Sequence, residues 1–160
     1  MNIIITYKMK LVNMKKILLS SIFICLFVYG FCQTKDERAI KQLLEKESAT
    51  WRLGDIKSHA DCWHVRPYSR ILVSTGDSTV LDIAPDIMIN PPANIIGKGG
   101  TSINSNYRMS VNRNNAWVSH NEESIAADGK KSYSYEIRIL EKIKGYWKLV
   151  GQSIHIYKPK

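Results

Sequence analysis

Four apolar-rich segments separated by short polar turns fill residues 104–157, and this pattern constrains the fold more than any other feature of the chain. The segments are residues 104–111, 116–126, 131–143 and 146–157, with turns at 112–115, at Asp128 and Gly129, and at Lys144 and Gly145. Apolar residues that recur at alternate positions between turn residues are typical of β-strands joined as hairpins. Asp-Gly in particular predicts a two-residue type I′ turn. The sequence therefore predicts an antiparallel meander.

Two helices are predicted before these strands. Residues 35–53 carry an apolar stripe with spacings of three and four, made of Ala39, Ile40, Leu43, Leu44, Glu47 and Trp51. Gly54 follows as a C-terminal stop. Asp55 is placed to cap a second, shorter helix over residues 56–65, which Pro67 ends.

Residues 70–75 predict one further strand, whereas prolines and glycines break up residues 78–104. A long irregular segment inside a domain is often a lid or a binding loop. Helices followed by mostly antiparallel strands predict an α+β fold, with two to three N-terminal helices packed on one face of a strongly curved sheet.

Three short stretches in the strands carry a family resemblance: Ala116-Trp117-Val118, RILEK at 138–142 and GYWKL at 145–149. With this order of elements, residues 35–157 resemble the nuclear-transport-factor-2-like superfamily, also called SnoaL-like or cystatin-like, in particular its small exported bacterial members of unassigned activity. The resemblance implies a cone-shaped domain that holds any ligand on its concave face and often packs against a second subunit on its convex face. It implies no particular reaction, because the superfamily contains enzymes and binding modules.

The amino-terminal residues are similar to an export signal. Met14 and two lysines precede a run of 15 uncharged residues, 17–31, and a polar segment follows. This run is short for a membrane span, which needs about 20 residues. We expect residues 1–32 to be an N-terminal extension and signal peptide, and residues 33–160 to be a single domain. Translation from Met14 and an uncleaved anchor remain alternatives.

The expected cleavage lies after Cys32, so that Gln33 is the mature amino terminus in the periplasm or outside the cell. Lipid anchoring at Cys32 is the alternative, although the preceding Phe31 is large for a lipoprotein signal. After cleavage we expect no membrane attachment. Cys62 is then the one remaining cysteine, and an unpaired thiol in an exported protein is usually buried.

Charge argues against a nucleic-acid partner. The chain has 23 lysines and arginines and 14 acids, and the leader holds four of the basic residues and no acid, so the net charge falls from +9 to +5. The remaining basic residues are scattered, whereas nucleic-acid binding needs a clustered patch. The sequence also contains no phosphate loop, nucleotide fingerprint or Ser-His-Asp arrangement, and no cofactor is predicted.

The turns predict which side chains share a sheet face. Two-residue turns would place Arg138 opposite Gly151 and Ser119, and Glu136 opposite Ser153 and Asn121. One face would then be polar and aromatic, and we take it as the pocket: Trp117, Ser119, Asn121, Glu136, Arg138, Trp147, Ser153 and His155. The other face would be mostly aliphatic. One β-bulge would exchange the faces beyond it.

Candidate catalytic residues are His155, Glu136 and His120, since imidazole titrates near neutrality and a carboxylate can act as its partner. Arg138 is a candidate for binding a carboxylate or an enolate, or else a structural ion-pair partner of Glu136. The residues expected to contact a ligand are Trp51, Trp63, Tyr68, Trp117, Ser119, Arg138 and Trp147. The group His59, Cys62 and His64 lacks the convergent spacing of a zinc site, so no metal is predicted.

Three functions follow as hypotheses. The first is an exported domain that binds a small, partly apolar molecule, with little or no catalysis, and that forms a homodimer through its sheet. The second is a SnoaL-like isomerase, cyclase or hydrolase that uses His155 or His120 with Glu136 and Arg138. The third is a protein-interaction module whose cone is filled by its own side chains.

Overall fold

The computed structural model describes residues 33–159, and the predicted leader lies outside them. The elements are α1 (Lys35–Leu53), α2 (Ile56–Ala60), β1 (Ile71–Ser74), β2 (Val80–Ile83), a 3-10 helix (Pro85–Met88), β3 (Gly100–Asn112), β4 (Asn115–Ala126), β5 (Lys131–Ile143) and β6 (Tyr146–Tyr157). The predicted α+β class is confirmed. Strand β2 and the early start of β3 were missed, because prolines and glycines hide them in residues 78–104.

The described strands form one six-stranded sheet in the order β2-β1-β6-β5-β4-β3. Neighbours are antiparallel except β1 and β6, which are parallel. The mostly antiparallel sheet is therefore as predicted. Its long strands β4, β5 and β6 lie in the interior and present one face to α1.

Helix α1 packs its apolar stripe on that inner face of the sheet. Ile40 and Leu44 are buried against a core that includes Val118, Leu140 and Leu149. Full burial of such side chains contributes about 1.5–3 kcal/mol each. The helix ends as predicted, at Gly54, whose φ of 74° is a left-handed conformation that favours glycine.

Helix α2 is shorter than predicted. Asp55 caps it as expected, since the Asp55 side chain accepts a hydrogen bond from the Ser58 N–H at 3.0 Å. Beyond Ala60 the chain pairs with β6 instead: the Leu149 N–H donates to the Cys62 carbonyl at 2.9 Å, and the His64 N–H donates to the Leu149 carbonyl at 2.8 Å. These backbone bonds replace the predicted second half of the helix.

The β5–β6 hairpin turns at Lys144 and Gly145 as predicted, but its register changes further along. Leu140 pairs with Leu149 whereas Ile139 pairs with Gly151, so Val150 is an extra residue in β6. Beyond this bulge every pairing shifts by one residue.

The β4–β5 turn also differs from the prediction. The Ala126 N–H donates to the Lys130 carbonyl at 2.9 Å, so three residues connect the strands instead of two. Gly129 has a φ of 82° and Asp128 is not left-handed, which excludes the type I′ turn.

These two departures overturn the predicted sheet faces. Arg138 lies opposite Gln152 and Val118, and Glu136 lies opposite Ile154 and His120. The predicted neighbours Gly151 and Ser153 in β6, and Ser119 and Asn121 in β4, were therefore wrong. The inner face carries Glu136 and Arg138, whereas the outer face carries Trp117, Ser119, Asn121, Ser153 and His155.

The segment between β2 and β3 is anchored to the end of α1. The Gly97 N–H donates to the Trp51 carbonyl at 3.0 Å, and the Gly99 N–H donates to the Arg52 carbonyl at 2.7 Å. These bonds satisfy carbonyls that a helix end leaves without partners. Met88, from the 3-10 helix of the same segment, is buried.

We expect Gly97→Ala to destabilise the fold. A Cβ there would lie 2.4 Å from the Arg52 carbonyl oxygen, and backbone atoms cannot rotate away. Overpacking of this kind costs about 1–3 kcal/mol, and urea unfolding would measure it. The matched control is Gly76→Ala, where the nearest atom would be 3.9 Å away. Equal effects of the two substitutions would contradict this account of the anchor.

Candidate functional site

A cavity of about 260 Å³ lies between α1 and one half of the inner sheet face. One wall is apolar and is made by Ile71, Val73, Ile83, Met88, Ile154 and Ile156. The opposite wall is polar and is made by Glu47, Ser48, Arg52, Glu122, Ser124, Ser132, Ser134, Glu136, Arg138 and Gln152. Trp51 and Tyr133 complete the lining.

Polar side chains line the cavity because the inward-facing residues of β4 and β5 change from apolar to polar along each strand. In β4 the inward residues pass from the apolar Val118 to Glu122, and in β5 they pass from Leu140 to Arg138 and Glu136. Side chains at alternate positions share a face. The apolar ends of these rows form the core, and the polar ends form the cavity wall.

Arg138 is the buried centre of this wall. Its Nη1 contacts the Gln152 Oε1 and lies 3.4 Å from the Glu47 Oε2, and its Nη2 donates to the Glu136 carboxylate. Burial opposes the charge, but the nearby carboxylates of Glu136, Glu47 and Glu122 raise the pKa of Arg138 above its ordinary value. The guanidinium is therefore charged, and its charge is already matched by protein carboxylates.

Glu136 is held as a carboxylate. Burial by itself would raise its pKa, but Arg138 and the neighbouring His120 outweigh burial and lower the pKa. The Ser134 hydroxyl donates to the Glu136 Oε1 at 2.8 Å. Glu136 therefore accepts hydrogen bonds and is poorly suited to donate a proton.

Glu122 differs from Glu136 in the direction of its pKa shift. Burial and the charge of Glu136 raise the pKa of Glu122, and this effect exceeds the opposing effect of Arg52. The Ser48 hydroxyl donates to the Glu122 Oε2 at 2.6 Å, and Arg52 Nη2 donates to the Oε1. Glu122 is thus more readily protonated than Glu136, whose pKa is lowered.

Glu47 reaches the cavity from α1. The Trp63 Nε1 donates to the Glu47 Oε1 at 3.3 Å, and the His59 Nε2 lies 3.8 Å from the same oxygen. Burial lowers the pKa of His59. Burial and the charge of Arg138 lower the pKa of His120 to about 4. Both histidines are therefore neutral at pH 7.

Three of the sequence-predicted site residues come together in the cavity: Trp51, Glu136 and Arg138. Trp63 is buried behind Glu47, and Trp147 is buried where its Nε1 donates to Asp36 Oδ1 at 3.0 Å. Both lie outside the cavity lining.

His120 is buried and stacks on Tyr107 with ring centroids 5.3 Å apart, and its Nε2 lies 3.7 Å from Glu136 Oε2. The other predicted site residues lie away from the cavity: Tyr68 is exposed and donates to Glu141, and Trp117, Ser119 and His155 lie on the outer face. His155 contacts the Ser153 hydroxyl there at 3.0 Å.

The sequence did not single out Glu47 or Gln152 as site residues. Glu47 could have been found, because it is a charged residue on the otherwise apolar stripe of α1. Such a residue, when buried, needs a partner. Glu122 and Gln152 depend on the β4–β5 and β5–β6 registers, which the turn residues alone did not fix.

No group of metal-ligating side chains occurs within residues 33–159. Cys62 is buried, and burial raises the pKa of its thiol to about 11. Over the same range, no helix has the length and apolar content to span a membrane.

Comparison with known proteins shows the fold. No protein-family model and no curated protein matches the chain. A protein of unknown function with a cystatin-like fold from Nostoc punctiforme is 11% identical with a TM-score of 0.61, over 79% of this chain and 96% of that one. A nuclear-transport-factor-2-like protein of unknown function from Shewanella baltica is 13% identical with a TM-score of 0.60, over 81% and 100%.

A third solved structure, from Streptomyces avermitilis, is named as a candidate dehydratase of the nuclear-transport-factor-2-like family. It is 13% identical with a TM-score of 0.59, over 78% of this chain and 97% of that one. The predicted nuclear-transport-factor-2-like fold is confirmed by these matches. At such identities the likeness concerns the fold and carries no site chemistry.

We expect Arg138→Met to be strongly destabilising, because it leaves buried carboxylates without a cation. Removing one partner of a buried ion pair costs about 3–5 kcal/mol, which chemical unfolding would measure. Adding Glu136→Gln to this variant should recover part of the loss.

The control for this prediction is Arg70→Met. Arg70 forms a surface ion pair with Asp82 at 2.7 Å, where water screens the charges, so little change is expected. If Arg138→Met cost no more than Arg70→Met, the buried ion pairs would not hold the site together.

Proposed function

We propose that this chain binds a small, partly apolar molecule in the cavity between α1 and the sheet. The observation that carries the proposal is the pairing of an apolar wall with a hydrogen-bonding wall in one concave space. Small-molecule sites are typically concave, largely apolar and oriented by a few polar groups. The volume of about 260 Å³ lies just below the roughly 300–1,000 Å³ usual for such sites, which favours a small ligand.

The burial of the lining residues indicates where the mouth of the cavity is and how a ligand would be oriented in it. Ile71, Glu122, Glu136 and Arg138 are buried, whereas Ser132, near the start of β5, and Ile156, near the end of β6, are exposed. The mouth therefore lies near the β4–β5 turn. A ligand would place its polar end against Glu122 and Arg138 and its apolar body along β1 and β6.

An acid–base enzyme is the second candidate function. Glu122 supports it, since a cavity carboxyl whose pKa is raised above the ordinary value is better suited than Glu136 to donate a proton. The version that uses His155 or His120 with Glu136 would act outside this cavity, since these three residues line a separate depression that does not include Arg138.

The third hypothesis, a filled cone that serves protein interaction, is disfavoured by the open cavity. We further propose that the protein is exported, which rests on the signal-like sequence at residues 14–31.

A homodimer through the outer sheet face is also proposed. That face exposes large side chains on β4 and β5, among them Trp117, Tyr135 and Ile139. Contiguous exposed apolar residues often mark an interface.

Native mass spectrometry of protein purified from its own host should reveal a bound small molecule. Val73→Trp should abolish that binding, because Val73 lines the cavity and the indole would fill it. The matched control is Leu72→Trp, whose side chain lies on the opposite face of the same strand. Loss of the ligand in both variants, or in neither, would argue against the cavity as the binding site.

Tyr135→Glu should convert a dimer to a monomer in analytical ultracentrifugation, because it places a charge in the proposed interface. Tyr135 is 52% exposed on the outer face. Tyr146→Glu is the control, since Tyr146 is 73% exposed but follows the β5–β6 turn. A wild-type protein that sediments as a monomer at micromolar concentration would refute the dimer.

A further inference from the structure

The cavity holds more negative than positive groups. Among residues 33–159, its lining includes three carboxylates, Glu47, Glu122 and Glu136, and two guanidiniums, Arg52 and Arg138. The adjacent histidines are neutral, as described above. With every carboxylate ionised the cavity wall would therefore carry one uncompensated negative charge. A buried charge without a partner is strongly disfavoured.

The charges of both cations are already paired with protein carboxylates. Arg138 contacts Glu47 and Glu136, and Arg52 contacts Glu122. A ligand carboxylate would have to displace one of these protein carboxylates and would increase the charge excess. This arrangement argues against the carboxylate or enolate ligand that the sequence suggested for Arg138.

A second observation points to an oxygen atom on the ligand. Arg138 lines the cavity and is 3% exposed, and its Nε has no hydrogen-bond partner in the described part of the chain. The Nε of Arg52 is likewise buried without a partner. A buried donor that remains unpaired is rare in proteins and requires an explanation. A hydroxyl or carbonyl oxygen of a bound molecule would accept from it.

We propose that the ligand is a small amine, bound as its ammonium ion, that also carries a hydroxyl or carbonyl oxygen. This inference rests on the proposed function and names the chemical class of the ligand. The ammonium group balances the excess charge at Glu122 and Glu136. The oxygen accepts from the Arg138 Nε, and the apolar body lies against the wall that includes Ile71 and Ile154.

The proposal predicts that binding is coupled to proton release. Of the cavity carboxyls that Arg138 and Arg52 contact, Glu122 is the one whose pKa is raised, so in the proposed ligand-free state it is Glu122 that carries the proton that removes the excess negative charge. The ammonium ion takes the place of that proton. The groups that face Glu122 are Arg52 from α1, Tyr107 from β3, and Glu136 and Arg138 from β5. Affinity for the amine should therefore rise with pH while Glu122 titrates, provided that the amine stays protonated.

Four probes with one phenylethyl body test the charge and the oxygen separately: 2-phenylethylamine, 2-amino-1-phenylethanol, 2-phenylethanol and phenylacetate. Isothermal titration calorimetry in two buffers of different ionisation enthalpy gives both affinity and proton release. We expect the amino alcohol to bind most tightly, followed by the amine. The amine should bind about tenfold or more tightly than 2-phenylethanol, as for a hydrogen bond to a charged group. Phenylacetate should not bind.

Glu122→Gln should weaken amine binding about tenfold or more and abolish proton release, with a much smaller effect on 2-phenylethanol, which has no positive charge for Glu122 to balance. Glu123→Gln is the matched control, because Glu123 pairs with Lys131 at 2.6 Å at the surface. Thermal unfolding of both variants checks that the fold is intact.

The outcomes separate this inference from the proposed function. If 2-phenylethanol or phenylacetate bound as tightly as the amine, the cation inference would be overturned while small-ligand binding would stand. Equal binding of the amine and the amino alcohol would overturn the part of the inference that concerns the oxygen. Binding of none of the four, together with no ligand in native mass spectra, would overturn both.

Discussion

The rest of the site depends on the burial of Arg138 in the middle of β5. A guanidinium away from water must be matched by carboxylates and satisfied by hydrogen bonds. Here Glu136 comes from the same strand, Glu47 from α1 and Gln152 from β6. These contacts join the helix to the sheet through charged and polar groups, and so they set the position of the cavity wall.

The space between α1 and the sheet stays open because its polar wall cannot pack against the opposite wall as apolar side chains do in the core. Burial of apolar side chains is favoured without regard to direction, and Leu140, Leu149 and Ile40 form a dry core at one end of the sheet. At the other end, carboxylates and guanidiniums would lose water if the space collapsed on them. The same strands therefore provide stability at one end and a binding space at the other.

The sequence predicted the elements well and the site poorly, for a physical reason. Periodicity and turn residues located α1, β1 and the four long strands, since each of these signals is local. Which face a residue lies on depends on register, and a shift of one residue exchanges the faces. Val150 as a bulge and the three-residue loop before Lys130 each caused such a shift, so Ser119 and His155 were predicted in the pocket.

The position of the charges also explains why the fold says little about the ligand. The solved structures of the same fold share only 11–13% of residues with this chain in the comparisons given above. An apolar core tolerates many combinations of similar volume and pattern, so the fold survives such divergence. The inward polar row of β4 and β5 is under a different constraint: its carboxylates and guanidiniums must be balanced as a group, either among themselves or by what they bind. In this chain the lining carries one more carboxylate than guanidinium groups when Glu122 is ionised, and this imbalance, which the shape of the fold does not determine, is the basis of the proposed preference for an ammonium ion.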